Sequence, residues 1–155
     1  MRNDIRMWQE DAHYDLDCAH DMLAHGRFNY AVWLARQAVE KMLKAAFVQV
    51  TGEPVPMEHN LLTLARTVCE ELPDDVLASL SFLNPHYTVA RYVDAAVGKP
   101  SDLYDLPFAQ EAWDKAERLL IWIEKNCLIT LEGSSPGSGP KKGTSSVPGP
   151  EERSS

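Results

Sequence analysis

Phe28-Asn29-Tyr30-Ala31-Val32-Trp33-Leu34-Ala35-Arg36-Gln37-Ala38-Val39-Glu40-Lys41-Met42-Leu43-Lys44-Ala45-Ala46-Phe47-Val48-Gln49-Val50 is the stretch on which the fold turns. It holds alanine at 31, 35, 38, 45 and 46 and has only a thin polar face. A helix apolar around most of its girth is packed on several sides, so this one is the centre of a bundle. Thr51-Gly52-Glu53-Pro54 ends it.

The chain on either side keeps the same period. Upstream, Ile5, Trp8, Ala12, Leu16, Ala19 and Leu23 recur at steps of three and four and predict a helix from about Asn3 to Ala24, stopped by His25-Gly26. Downstream, residues 52–58 read as a loop holding Pro54 and Pro56. Asn60 caps a helix that runs to about Glu71. Asp74 or Asp75 caps the next, which carries Val76, Leu77, Leu80 and Leu83 until Asn84-Pro85 breaks it. A further helical piece is expected from His86 to Val93, then a long polar loop from Gly98 to Leu106. The last helix runs from about Pro107 to Leu128, with Ala109, Ala112, Trp113, Ala116, Leu119, Leu120 and Ile123 on one side. No stretch alternates strictly. The expected fold is all-α, an up-and-down bundle of four to five helices.

Composition bounds the rest. The 155 residues suit one domain. From Gly133 to Ser155, 16 of 23 residues are Gly, Pro or Ser. Such a segment buries too little to offset its ordering entropy, so residues 1–132 are expected to form the domain and 133–155 a disordered tail. The net charge is −8, against the broad basic surface that extended nucleic-acid binding needs. Cys18, Cys69 and Cys127 are widely spaced and odd in number, which fits neither a disulfide framework nor a zinc ribbon. The N-terminus leads into polar residues, and the longest apolar runs are only a few residues. No signal peptide, no membrane span and a reducing, cytoplasmic setting are expected.

Two clusters carry chemistry. On the central helix Gln37, Lys41 and Lys44 fall at i, i+4 and i+7, with Arg36–Glu40 and Glu40–Lys44 pairs at i, i+4. Residue types alone favour a solvated stripe. A cationic patch beside a groove gains weight because this helix has little other polar surface. Further on, Tyr87, Arg91 and Asp94 would share one face of the expected helical piece. Arg offers a planar fork for phosphate and Tyr a ring for a base. An Arg–Asp pair tying down a kinked helix end explains the same residues.

Metal and nucleophile chemistry finds little support. Glu10-x-x-His13 matches one half of a carboxylate-bridged dimetal site, but no second copy exists, and His13, Asp17 and His20 lie opposite the apolar stripe of their helix. His59, just before the Asn60 cap, reads as a local capping or core histidine. No metal and no cofactor are expected. Trp122, beside Ile121 and off the inner stripe of the last helix, suits a homodimer contact.

The order of motifs along the chain carries a resemblance. Ala12-x-x-Asp15-Leu16-x-x-Ala19 is followed by Leu23 and Gly26-Arg27-Phe28. Gln37-Ala38-x-Glu40-Lys41-x-x-Lys44-Ala45, a proline loop, His59-x-Leu61-x-x-Leu64 and Ala90-Arg91-Tyr92 come next, and a last amphipathic helix closes the series. From about Ile5 to Cys127 this resembles the HEPN domain, a helical bundle of nucleotide- and RNA-associated proteins. Many members are metal-independent ribonucleases using Arg, four to six intervening residues, then His, paired across a homodimer. The matching Arg is Arg91, but Ala96, Val97 and Gly98 stand where the His would fall. Arg6 and His13 have the bare spacing only in the first helix. His86, five residues before Arg91, is the one histidine a ribonuclease reading would enlist. A second branch lacks the motif and consists of small partners of minimal nucleotidyltransferases, often in toxin–antitoxin-like pairs. The resemblance to it implies a non-catalytic module in which Gln37, Lys41, Lys44, Arg91 and Tyr92 line a nucleotide- or partner-binding groove. That branch often has Pro after Arg-Tyr, where this chain has Val93. A plain helical interaction module is a third reading.

Overall fold

In the computed structural model, residues 2–128 are described, and they form helices and connections with no strand among them. The domain boundary expected at 132 and the tail at 133–155 lie outside the described residues. Helix α1 spans Arg2–Ala24 and α2 spans Phe28–Thr51. Gly26 makes the turn between them at φ 73°, a left-handed conformation that costs glycine little. A connection this short forces the two helices antiparallel. Gly52, at φ 68°, closes α2 and donates its N–H to the Val48 carbonyl at 2.9 Å.

Helix α2 is central, as its composition implies. It packs against α1, against α3 (Leu61–Val68) and against α7 (Leu106–Cys127). Ala31, Ala35, Ala38, Ala45 and Ala46 are all fully buried. Small side chains there let neighbouring helix axes come close while Val39, Met42 and Leu43 fill the spaces between. Ala12, Leu16 and Ala19 of α1 and Ala112, Ala116, Leu119, Leu120 and Ile123 of α7 complete the core.

The cap expected at Asn60 is found, and the one expected at Asp74 or Asp75 is not. The Asn60 side chain accepts from the N–H of Leu62 at 3.0 Å and of Thr63 at 3.1 Å. Asp105 caps α7 by accepting from Phe108 N–H at 2.9 Å. Helix α4 spans Asp74–Leu83 with Pro73, not Asp74 or Asp75, at N-cap and no side-chain cap; the two aspartates lie in its first turn, where their charge favours the positive end of the helix dipole.

Three further expectations are corrected. Residues 86–93 are not a helix: Asn84–Tyr87 is a 3₁₀ turn, Tyr92 is extended at φ −118°, and only Val93–Ala96 forms a short helix, α5. Pro85 cannot donate to an α-helical ladder, so the chain tightens and turns out. The polar loop expected from Gly98 contains α6, Pro100–Leu103. Cys69 and Cys127, expected from their spacing to fit no disulfide framework, form a disulfide with Cα atoms 6.1 Å apart, joining the end of α3 to the end of α7. Their 58-residue separation hides the pairing. Cys18 is free. Among the described residues no helix is long and apolar enough to cross a membrane.

Candidate functional site

Arg36, Glu40 and Lys44 sit at i, i+4 and i+8, so α2 presents them along one face. That face is not solvated. Their relative exposures are 1%, 2% and 6%. Arg36 Nη1 donates to Glu40 Oε1 at 3.1 Å and Lys44 Nζ to Glu40 Oε2 at 3.3 Å. One carboxylate therefore holds two buried cations. Arg36 Nε also donates to the Asn84 carbonyl at 3.1 Å, and Nη2 to the carbonyl of His59. Burial pushes the Arg36 guanidinium below its ordinary range, and the Glu40 hydrogen bond opposes the shift.

The loop after α2 brings His59 to the same carboxylate. Its Nδ1 lies 3.2 and 3.3 Å from the two Glu40 oxygens. Glu58 accepts from the N–H groups of His59 at 3.0 Å and Asn60 at 2.8 Å, which fixes the loop where α3 begins. Asn84 ties in the third segment: its Oδ1 accepts from Leu61 N–H at 2.8 Å. Tyr87 stacks on His59 at 4.5 Å, and its hydroxyl meets His59 Nε2 at 3.4 Å.

Arg91 lies above this buried network. Its guanidinium carbon is 4.7 Å from the Trp33 ring, 4.8 Å from Tyr87 and 4.9 Å from Tyr92. Three rings hold the group by cation–π contact. Nε donates to the Tyr87 carbonyl at 2.9 Å. The two terminal nitrogens bond no group among the described residues, so the fork of Arg91 is fixed and open.

The five residues expected to line a groove are placed unequally. Arg91 and Tyr92 meet, with Tyr92 half exposed. Lys44 lies in the buried network linked to Arg36 through Glu40. Lys41 turns to α1, with Nζ 2.6 Å from Asp11 and 2.7 Å from Asp15, and no contact joins it to Arg91. Burial opposes its charge, but the two carboxylates outweigh burial and hold the ammonium above its ordinary value. Gln37 is half-buried, and its Oε1 has no hydrogen-bond partner among the described residues. Asp94 does not share a helical face with Tyr87 and Arg91, because the chain is extended at Tyr92. Ala96, Val97 and Gly98 form the end of α5, where Val97 takes φ 53° and is 93% exposed.

His86 makes no contact with Arg91. Its Nδ1 meets the Tyr104 hydroxyl at 2.7 Å, and its ring packs edge-on to Phe108. Burial, and then the Arg36 charge, lower its pKa. The unfolded chain therefore takes up the extra proton as pH falls through the ordinary value of 6.5, and the fold loses stability on that acid side. Replacing His86 with Phe is expected to flatten the fall in melting temperature between about pH 7 and about pH 5. An unchanged slope would place the acid sensitivity elsewhere.

Residue spacing alone reads Arg36 and Glu40 as a surface pair and His59 as a local histidine. The usable signal is the conflict between a cation–carboxylate–cation series and a helix too apolar to face water.

Comparison with known proteins agrees with the fold. The model of the HEPN domain matches residues 5–126. The crystal structure of TT1696 from Thermus thermophilus is 30% identical and superposes with a TM-score of 0.73, covering 79% of this chain and 98% of that one. ST0689, described as an archaeal HEPN homologue, is 29% identical with a TM-score of 0.65, covering 79% of this chain and 96% of that one. No curated protein sequence matches the chain. With the family model spanning nearly the whole described bundle, and solved relatives of the same architecture, the chain belongs to the HEPN domain family.

Proposed function

We propose that this HEPN chain is a non-catalytic binding module for nucleotide or RNA phosphate, working beside a minimal nucleotidyltransferase in a toxin–antitoxin-like pair. The observation that carries the reading is Arg91: a guanidinium clamped by three rings, with one N–H used and its planar fork left open. A fork of that kind suits two oxygens of one phosphate. Tyr92 supplies an exposed ring beside it for a base. Lys44, paired with Glu40 in the buried network, and Gln37 and Lys41, the latter held by Asp11 and Asp15, are secondary members of the proposed site. The partnership comes from the likeness to the family's motif-lacking branch and is tested by co-purification of the chain with a nucleotidyltransferase encoded beside it.

The ribonuclease alternative pairs Arg91 with His86, whose imidazole is engaged by Tyr104 and Phe108. Cleavage of labelled RNA in EDTA that disappears in Arg91→Ala would restore it. Homodimer formation belongs to the same proposal, with the 59%-exposed Ile121 beside Trp122 as one candidate face. A monomeric mass in light scattering at micromolar concentration contradicts it.

Thermal shift separates the site's members. Nucleotide at a hundred times its Kd should stabilise the fold by about 2.7 kcal/mol. Arg91→Ala should abolish that shift. Lys41→Ala should leave most of it, because Lys41 is engaged by Asp11 and Asp15. Loss of the shift in Lys41→Ala alone would move the site onto α1 and α2.

A further inference from the structure

We infer that the groove between α4 and α7 receives helix α1 of a second copy of this chain, in a two-fold pair where Glu10 and Asp17 of one copy meet Arg118 and Lys125 of the other. The inference rests on the homodimer reading above and adds to it the face that fills the groove.

The groove encloses about 500 Å³ between Val76, Ala78 and Ser79 of α4 and one face of α7. On α7, Arg118, Ile121, Trp122 and Lys125 fall at i, i+3, i+4 and i+7, so two apolar side chains lie between two cations. Ile121 is exposed and Trp122 half-buried. The charged side chains on the walls are Lys115, Arg118, Lys125 and Asp75. Glu111 meets Lys115 at 3.5 Å. Among the described residues no ion pair engages Arg118 or Lys125, and Asp75 pairs with neither. The other carboxylates of α7, Asp114, Glu117 and Glu124, do not line the groove. Counting Asp75 and Glu111 against the three cations still leaves it positive. In a chain of net charge −8, such a face suits an acidic helix with an apolar centre.

Helix α1 carries the complement. Glu10, Tyr14 and Asp17 fall at i, i+4 and i+7, and all three are exposed. The two acids stand as far apart along their helix as Arg118 and Lys125 do along theirs, about 10.5 Å of rise. Asp11 and Asp15 of the same helix are taken by Lys41, while Asp17 has no ion pair among the described residues. Glu10 meets Arg6 at 3.1 Å, but both side chains are exposed and such a pair is readily exchanged.

The direction also matches. Within one chain α1 runs antiparallel to α7, since His13 meets Glu124 and the Leu16 carbonyl accepts from Trp113 Nε1 at 3.0 Å. A two-fold axis normal to the face these helices share reverses the second copy's α1 and sets it parallel to α7. In that direction Glu10, Tyr14 and Asp17 follow the order of Arg118, the Ile121–Trp122 pair and Lys125. The contact is reciprocal, so each ion pair forms twice.

Sedimentation of the full chain at micromolar concentration and low ionic strength reads the pairing. Wild type is expected to sediment as two copies. Arg118→Glu/Lys125→Glu sets an acidic groove against an acidic α1, and Glu10→Lys/Asp17→Lys sets a basic α1 against a basic groove. Each double variant should weaken self-association at least about tenfold. An equimolar mixture of the two should regain wild-type pairing, because both of its contacts then join opposite charges. Two-copy masses unchanged in both variants overturn the inference and leave a homodimer through another face standing. Loss of pairing that mixing does not restore, with melting temperatures intact, overturns the match of α1 to the groove. A wild-type chain that sediments as one copy removes the homodimer reading itself.

Discussion

Glu40→Ala lowers the melting temperature by about 10–20 °C, the largest single-residue effect expected outside the apolar core. The reason is burial. Arg36 and Lys44 are 1% and 6% exposed, and the Glu40 carboxylate is the only anionic group either one contacts among the described residues. Removing one partner of a buried pair leaves the other charge without solvent or counterion, which costs roughly 3–5 kcal/mol. Here two cations lose the same partner. Glu40→Gln keeps an oxygen for hydrogen bonding and removes the charge, so it should fall between wild type and alanine. Replacing Arg36, Glu40 and Lys44 together with apolar residues of similar size should recover much of the loss, because no uncompensated charge remains. Thermal melts of the four proteins test this series. A Glu40→Ala protein that melts with wild type would mean the network is hydrated and contributes little.

Reduction of the Cys69–Cys127 disulfide is the second large effect. The bond closes a loop across 58 residues, and chain-entropy bookkeeping gives about 4 kcal/mol for a loop of that length. It also ties the last turn of α7 to the end of α3, the eight-residue helix that begins just after His59 and Asn60. Melts with and without a phosphine reductant should differ by about 10 °C or more. A Cys69→Ala/Cys127→Ala protein should melt like reduced wild type and ignore the reductant. Identical melts of oxidised and reduced wild type would show that the α3–α7 contact holds unaided.

What could be read in the chain, and what could not, divides along physical lines. Helices α1, α2 and α7 are long, and their apolar stripes repeat many times. Their limits are legible to within a residue or two from Gly26, Gly52 and the turn before Pro107. Residues 86–104 are not. There the pieces are four residues long, and tertiary bonds such as Asn29 Nδ2 to the Ala90 carbonyl at 3.0 Å decide the path. Arg91 and Tyr92 are legible as a pair because they are adjacent. The partners of Arg91 are not, since Trp33 and Tyr87 reach it from segments 54 residues apart in the chain. Lys41 and Lys44 look alike on a helical wheel. One pairs with Asp11 and Asp15 and the other with Glu40 because α1 covers one flank of α2 and the loop around His59 the other. The thiols of Cys69 and Cys127 carry no mark of pairing until the bundle closes.

The proposed activity stands on Arg91 as an anion ligand held ready by its three rings. Its most direct measurement is the dissociation constant of AMP at low ionic strength for wild type and for Arg91→Ala, read by calorimetry on protein whose melting temperature is unchanged. One saturable site in wild type, weakened at least about tenfold in the variant, is the predicted result. Equal constants for the two proteins would contradict it.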